Sequence, residues 1–177
     1  MTAINRQMIK IAIVAAGTNG SALSSSDWVV GEIKEYSQSG GAPDMNSEAV
    51  FGGYVDEQVP VTQLEVTMDV IPKIDGESNR WESYIFGLHS TAQSYVSNKL
   101  AGKKAIFIQA KDGSNFKSLA YNNAFGSTFE PSHNADENRR VNFTFKLSPE
   151  NEDGVANFQA KAVATSVLPA WGSLVRE

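Results

Sequence analysis

Leu64, Val66, Met68 and Val70 alternate with Gln63, Glu65, Thr67 and Asp69, the period of two expected of a strand with one face in the core and the other meeting water or a partner. The pattern predicts one long strand from Gln58 to Val70. Pro72 lacks a backbone donor and turns Ile71 away from helical geometry, so the strand ends there and the chain turns over Lys73 to Gly76. Asp75 is placed to cap a helix whose apolar stripe is Trp81, Tyr84, Ile85 and Leu88, while Glu77, Asn79, Arg80 and Glu82 occupy its other faces. Aromatic residues at that spacing pack as core, so Trp81, Ile85 and Leu88 are the expected contacts of the helix on a sheet.

Turn chemistry divides the rest of the chain into strands. Ile9 to Ala16 is followed by Asn19-Gly20, Trp28 to Tyr36 by a long polar loop from Gln38 to Ser47, and Ala49 to Val55 forms a weak strand. Ser90 to Gly102 is polar and leaves room for a short second helix. The second half reads as a meander: Lys104 to Lys111, an Asp112-Gly113 turn, Phe116 to Phe129, Arg139 to Leu147, an acidic turn, and Val155 to Val167. Val141, Phe143, Phe145 and Leu147 repeat the one-sided alternation, whereas Ala105 to Ile108 is continuously apolar and is expected to be buried on both faces. The predicted fold is mainly β, an antiparallel sandwich or barrel with one flanking α-helix.

The length of 177 residues and 41% hydrophobic content suit a single domain, residues 1–177, with one sizeable core. The absence of cysteine excludes disulfides, thiolate metal sites and cysteine nucleophiles. The apolar run Ile11 to Ala16 is too short for an export signal and reads as a strand, and no stretch approaches a membrane-spanning helix, so membrane insertion is not expected. Twenty acidic residues against fifteen basic give a net charge of −5. No basic cluster interleaved with aromatics marks a nucleic-acid footprint, so tight DNA or RNA binding is not expected. A conduit wall that repels phosphates is compatible with DNA as a passing cargo.

Reaction chemistry has little support. His89 and His133 have no histidine or cysteine partner at metal-ligand spacing, and no Gly-x-Ser-x-Gly nucleophile motif is present. Gly40-Gly41 and Gly52-Gly53 complete neither a P-loop nor a dinucleotide fingerprint and read as turns or bulges. The pairs Asp56-Glu57, Asp136-Glu137 and Glu152-Asp153 fall in expected loops, where solvated surface charge is the ordinary role. No enzyme activity, metal or cofactor is expected, and a structural or interaction role follows.

Val30-Gly31-Glu32-Ile33, a Gly/Ser loop, Phe51-Gly52-Gly53-Tyr54, then Val61 to Val70 and a helix resemble the tail tube (major tail) proteins of tailed phages over residues 28–90. Type VI secretion tube proteins are similar in fold. The resemblance implies hexameric rings stacked into a hollow DNA-conducting tube of the virion tail. It also implies hairpins joined into a continuous inner barrel, and loops and termini that staple successive rings. The implied partners are further copies of the chain, tape-measure and tail-terminator proteins, and a sheath if the tail contracts. A secretion-type tube and a capsid-decoration or other virion β protein are the alternatives.

Within that reading, Glu65 and Asp69 share the polar face of the longest strand and are the expected lumen residues, with packing of the same face against a neighbour as the opposing arrangement. Gly40, Gly41, Asp44 and Asn46 are the expected inter-subunit loop residues.

Overall fold

The computed structural model describes residues 9–29, 33–42, 44–59, 62–71, 84–89, 91–92, 94–96, 102–112, 115–135, 139–160 and 168–175. Twelve strands are present among them: β1 (Ile9–Ala15), β2 (Trp28–Val29), β3 (Ile33–Ser39), β4 (Asp44–Val50), β5 (Gly53–Val59), β6 (Leu64–Val70), β7 (Gly87–His89), β8 (Ser94–Val96), β9 (Lys104–Asp112), β10 (Asn115–Ser132), β11 (Arg140–Leu147) and β12 (Phe158–Ala160). Eight form one antiparallel sheet in the order β2-β1-β9-β10-β11-β6-β3, with β12 also pairing β10. Two separate two-stranded ribbons, β4-β5 and β7-β8, complete the set.

The 18-residue β10 joins the two halves of the sheet. Its first part pairs β9 up to Ala124, and its second part pairs β11 from Phe125 to Ser132. Between them the register shifts, and Asn123 takes φ +55°, a left-handed conformation that asparagine tolerates better than most side chains. The bend is held by its neighbours. Asn123 Nδ2 donates to Asn157 Oδ1 at 2.8 Å, the Asn122 amide donates to the Asn157 carbonyl at 2.7 Å, and the Gly17 amide donates to Asn122 Oδ1 at 2.8 Å.

Bending brings the halves face to face over one core. Ile11 and Ile13 of β1, Ile106 and Ile108 of β9, and Tyr121 pack with Leu64, Val66, Met68 and Val70 of β6 and Val141, Phe143, Phe145 and Leu147 of β11. Each such buried aliphatic or aromatic side chain is worth roughly 1.5–3 kcal/mol relative to exposure, so the alternating faces of β6 and β11 define the register. A second core lies on the reverse of the first half, where Ala12, Ala105, Phe107 and Ala120 are covered by Leu168 and Trp171. Ala105 to Ile108 is therefore buried on both faces, with alternate residues serving different cores.

Several boundaries differ from expectation. The long strand Gln58 to Val70 is two: β5 ends at Val59 and β6 starts at Leu64, on either side of Pro60, a residue without a ladder donor. The span Trp28 to Tyr36 also divides, into β2 at one end of the sheet order and β3 at the other. The polar loop from Gln38 to Ser47 is absent as such, because β3 runs to Ser39 and β4 begins at Asp44. Ala49 to Val55 is the tip of the β4-β5 hairpin, with Val50 opposite Gly53.

The flanking helix lies largely outside the described residues, Trp81 included. Of its expected span, Tyr84 and Ile85 are in a turn and Leu88 is in β7, so the helical stripe does not extend to Leu88. Ile85 packs against the main core from that turn. Among the described residues the helical pieces are three single 3-10 turns, at Gly20–Ala22, Ser25–Asp27 and Trp171–Ser173.

Candidate functional site

The polar face of the second half of the sheet forms ordered rows. Cross-strand register places Glu130, Asn142, Asp69 and Glu35 in one row, Thr128, Thr144, Thr67 and Ser37 in the next, and the exposed Phe125 with Lys146, Glu65 and Ser39 in a third. Residues directly opposite on neighbouring strands share a face. Lys146 Nζ lies 2.8 Å from Glu65 Oε1, Arg140 reaches Asp69 at 4.0 Å, and the Thr67 and Thr144 hydroxyls are 3.3 Å apart. The face thus carries the carboxylates Glu35, Glu65, Asp69 and Glu130 against the cations Arg140 and Lys146. It is a half-exposed, net acidic wall in which Glu65 and Asp69 each have a cationic neighbour.

The β4-β5 ribbon pairs with no other strand among the described residues. Its described side chains, residues 47–55, are all exposed. Four of the seven large apolar side chains exposed among the described residues are at its tip: Val50, Phe51, Tyr54 and Val55. An isolated two-stranded ribbon is marginal in water, and an apolar tip is a liability unless it is covered. Residues 44–59 contain Asp44, Glu48, Asp56 and Glu57 and neither lysine nor arginine. Asp44 and Asn46, expected in a loop, are instead in β4 of this ribbon. The signal was the pair Val50 and Val55 around Phe51-Gly52-Gly53-Tyr54, an apolar hairpin tip with glycines at its turn.

The root of the ribbon is tightly specified. Gly40 and Gly41 have φ +74° and +79°, and a Cβ on either would stand 2.1 Å from the Gln63 carbonyl oxygen or 2.8 Å from the Leu64 side chain respectively. Both therefore act where the outgoing chain presses against the start of β6. Just before them, Tyr36 and Tyr121 are joined by a hydrogen bond between their hydroxyls, and Tyr121 donates to Gln38 Oε1 at 2.5 Å.

A cleft of about 690 Å³ opens between β10, β11 and the turn after Leu147, and Lys103, Phe125, Lys146, Glu150, Glu152 and Asp153 are among the residues that line it. Lys103 Nζ sits 5.2 Å from the centroid of the exposed Phe125 ring. His133 lies apart from this cleft in an exposed loop. No cluster of three or more histidine, cysteine or carboxylate side chains suited to a metal is found among the described residues. No helix of those residues is long and apolar enough to cross a membrane.

No protein-family profile matches the sequence, and no curated protein matches it either. Solved structures do share the fold. A chain of the sheath-tube complex of an extracellular contractile injection system, PVC, in the extended state aligns with a TM-score of 0.55 at 13% identity, over 91% of this chain and 93% of that one. A chain of the PVC sheath/tube terminator aligns at 0.57 with 12% identity, over 92% and 99%. A chain of the anti-feeding prophage cap that terminates its tube aligns at 0.54 with 14% identity, over 91% and 92%. At such identities the likeness is one of fold: a mainly antiparallel β architecture that covers nearly all of both chains is also used in contractile injection particles.

Proposed function

We propose that this chain is a structural, non-enzymatic subunit of the tube of a contractile injection apparatus, nearer to the secretion-type alternative than to a DNA-ejecting phage tail. The observation that carries this reading is the near-complete fold overlap with chains of a sheath-tube complex and of tube-terminating assemblies. The exposed apolar ribbon, which a lone subunit leaves uncovered, supports it. In its finer form, the subunits close into rings, hexameric as the tail-tube resemblance implies, that stack into a hollow conduit within a sheath in an extracellular or virion-borne particle. Tape-measure and terminator proteins then set its length. The net acidic face of β3, β6, β11 and β10 is the proposed lumen wall, with Glu65 and Asp69 on it, because a wall of that sign repels a polyanionic or acidic cargo instead of retaining it.

Electron microscopy of the purified full-length protein over a range of concentrations tests the proposal. Rings or hollow tubes of uniform diameter are expected. A species that stays monomeric at every concentration, alone and with a co-expressed sheath, rejects it.

A further inference from the structure

Asn19-Gly20 is the only Asn-Gly pair in the chain, and it lies where the C-terminal segment, residues 168–175, is fastened. Asn19 Oδ1 accepts the Trp171 amide at 3.1 Å, the Thr18 carbonyl accepts the Trp171 indole N–H at 3.0 Å, and a Cβ on Gly20 would stand 3.4 Å from Leu168 Cβ. Leu168 and Trp171 close the second core from this turn. Asparagine before glycine is also open to an intramolecular reaction, because a following residue without Cβ leaves its amide nitrogen free to approach the side-chain carbonyl carbon. The Gly20 nitrogen attacks Asn19 Cγ, the Cγ–Nδ2 bond breaks, and ammonia leaves with the proton of the Gly20 amide. Water then opens the cyclic imide at either carbonyl, to an aspartyl or an isoaspartyl residue.

Ring closure needs the Gly20 nitrogen on the same side of the Asn19 Cα–C bond as Cβ. The fold holds it elsewhere. Asn19 is extended, with φ −80° and ψ +148°, and its carbonyl accepts the Ala22 amide at 3.0 Å, which fixes the peptide plane shared with Gly20. Trp171 fixes the side-chain end of the same reaction through Oδ1. Asn19 is only half-buried, so water reaches it once the two ends are released.

We propose that Asn19-Gly20 is a spontaneous deamidation site that the C-terminal segment holds shut, and that its isoaspartyl product unfastens that segment. The aspartyl product still offers an oxygen to the Trp171 amide. The isoaspartyl product carries the main chain through the side-chain carbons, one methylene longer, and puts a carboxylate where the carbonyl met Ala22, so Gly20 shifts from beneath Leu168. Loss of ammonia makes the change one-way. It occurs within a single chain and does not depend on the tube reading.

The test is peptide mapping by mass spectrometry of the full-length protein aged at mildly alkaline pH, folded and in urea. Asn19 is expected to convert to both products in urea and roughly tenfold or more slowly when folded, since reaction through a local opening scales with the open population. Trp171→Phe keeps a ring in the second core but loses the bond to Thr18, and is expected to raise the folded rate at Asn19 by roughly twofold to tenfold, the scale of one hydrogen bond. The rate at Asn46, on the ribbon, should stay unchanged. Hydrogen exchange read at the Trp171 amide is expected to be faster in the isoaspartyl fraction than in fresh protein, and unchanged in Asn19→Asp. An Asn19 that stays intact in urea overturns the site. Equal rates folded and in urea, or a folded Trp171→Phe that leaves the Asn19 rate unchanged, overturn its closure by the segment, and unchanged Trp171 exchange in the isoaspartyl fraction overturns the release. The first and last of these comparisons use the wild type alone and hold even where Trp171→Phe does not fold.

Discussion

The hydroxyl of Tyr36 on β3 hydrogen-bonds the hydroxyl of Tyr121 on β10, 85 residues away, and so ties the terminal strand of the second half of the sheet to the first half. Each phenol has one proton. Tyr121 gives its own to Gln38 Oε1, so Tyr36 is the donor in the pair and the chain of bonds runs Tyr36 to Tyr121 to Gln38. Tyr121 is fully buried and Tyr36 is half-buried, which makes the inner residue the more costly to disturb.

Tyr121→Phe removes both bonds and leaves two partners behind, and is expected to destabilise by about 1–3 kcal/mol. Tyr36→Phe removes one bond and leaves Tyr121 bonded to Gln38, at about 0.5–1.5 kcal/mol. Urea unfolding measures both. Equal losses would mean that the order of donors is different.

The same pair sets an alkaline limit. Desolvation by burial holds both phenols above their ordinary value of 10.0, and for Tyr121 the hydrogen bond with Tyr36 adds to the rise. With a folded-state pKa above the unfolded value, the contribution of these groups is fully present below pH 10 and declines as pH rises beyond it, because the unfolded chain releases protons that the folded chain retains. The decline for one such tyrosine is up to about 1.4 kcal/mol per pH unit. Urea midpoints taken from about pH 8 to 11 should fall in the wild type and fall less steeply in Tyr121→Phe; parallel slopes would remove the pair as the cause.

Trp171→Ala is expected to cost about 3–5 kcal/mol. The side chain is buried against Phe107, its indole N–H donates to the Thr18 carbonyl at 3.0 Å, and its own amide donates to Asn19 Oδ1 at 3.1 Å. Loss of the ring opens the second core beneath the C-terminal segment. A change below about 1 kcal/mol by urea unfolding would show that this segment contributes little to the stability of the fold.

Gly40→Ala and Gly52→Ala separate steric need from backbone strain. Both glycines have positive φ, but a Cβ at Gly52 meets nothing within 4 Å, whereas at Gly40 it stands 2.1 Å from the Gln63 carbonyl oxygen. The tip variant should lose about 1–2 kcal/mol, the cost of a left-handed alanine. The root variant should lose more, about 3 kcal/mol or above, and assemble poorly because the ribbon is re-aimed. Thermal unfolding with electron microscopy checks both.

Glu65→Lys with Asp69→Lys reverses the two central charges of the proposed lumen wall and places like charges beside Lys146 and Arg140. Stability should fall by about 0.2–1 kcal/mol per site, as expected of partly exposed pairs. Assembled tubes should pass an anionic cargo more slowly at low salt, with the effect fading as salt is raised. Loss of assembly with normal transport through the surviving tubes would place this face against a neighbour.

What the sequence determined by itself was local. The one-sided faces of β6 and β11 follow from alternation, because a residue's face in a strand depends only on its place in that alternation; the two-sided burial of Ala105 to Ile108 follows from an unbroken apolar run, and β1, β9 and β10 from the turn residues that bound them. The mainly antiparallel β class was legible in the same way. The tertiary structure decided what depends on distant partners. Only pairing showed that Trp28–Val29 and Ile33–Ser39 belong to opposite ends of the sheet order, and that Gln38 to Ser47 is the root and first strand of a projecting ribbon. Polar residues such as Asn46 and Ser47 score as loop, yet backbone pairing with Glu57 and Asp56 makes a strand of them, since ladder bonds are made by the main chain whatever the side chains. The Lys146 and Arg140 partners of Glu65 and Asp69 lie 81 and 71 residues away on β11, and no local spacing encodes that register.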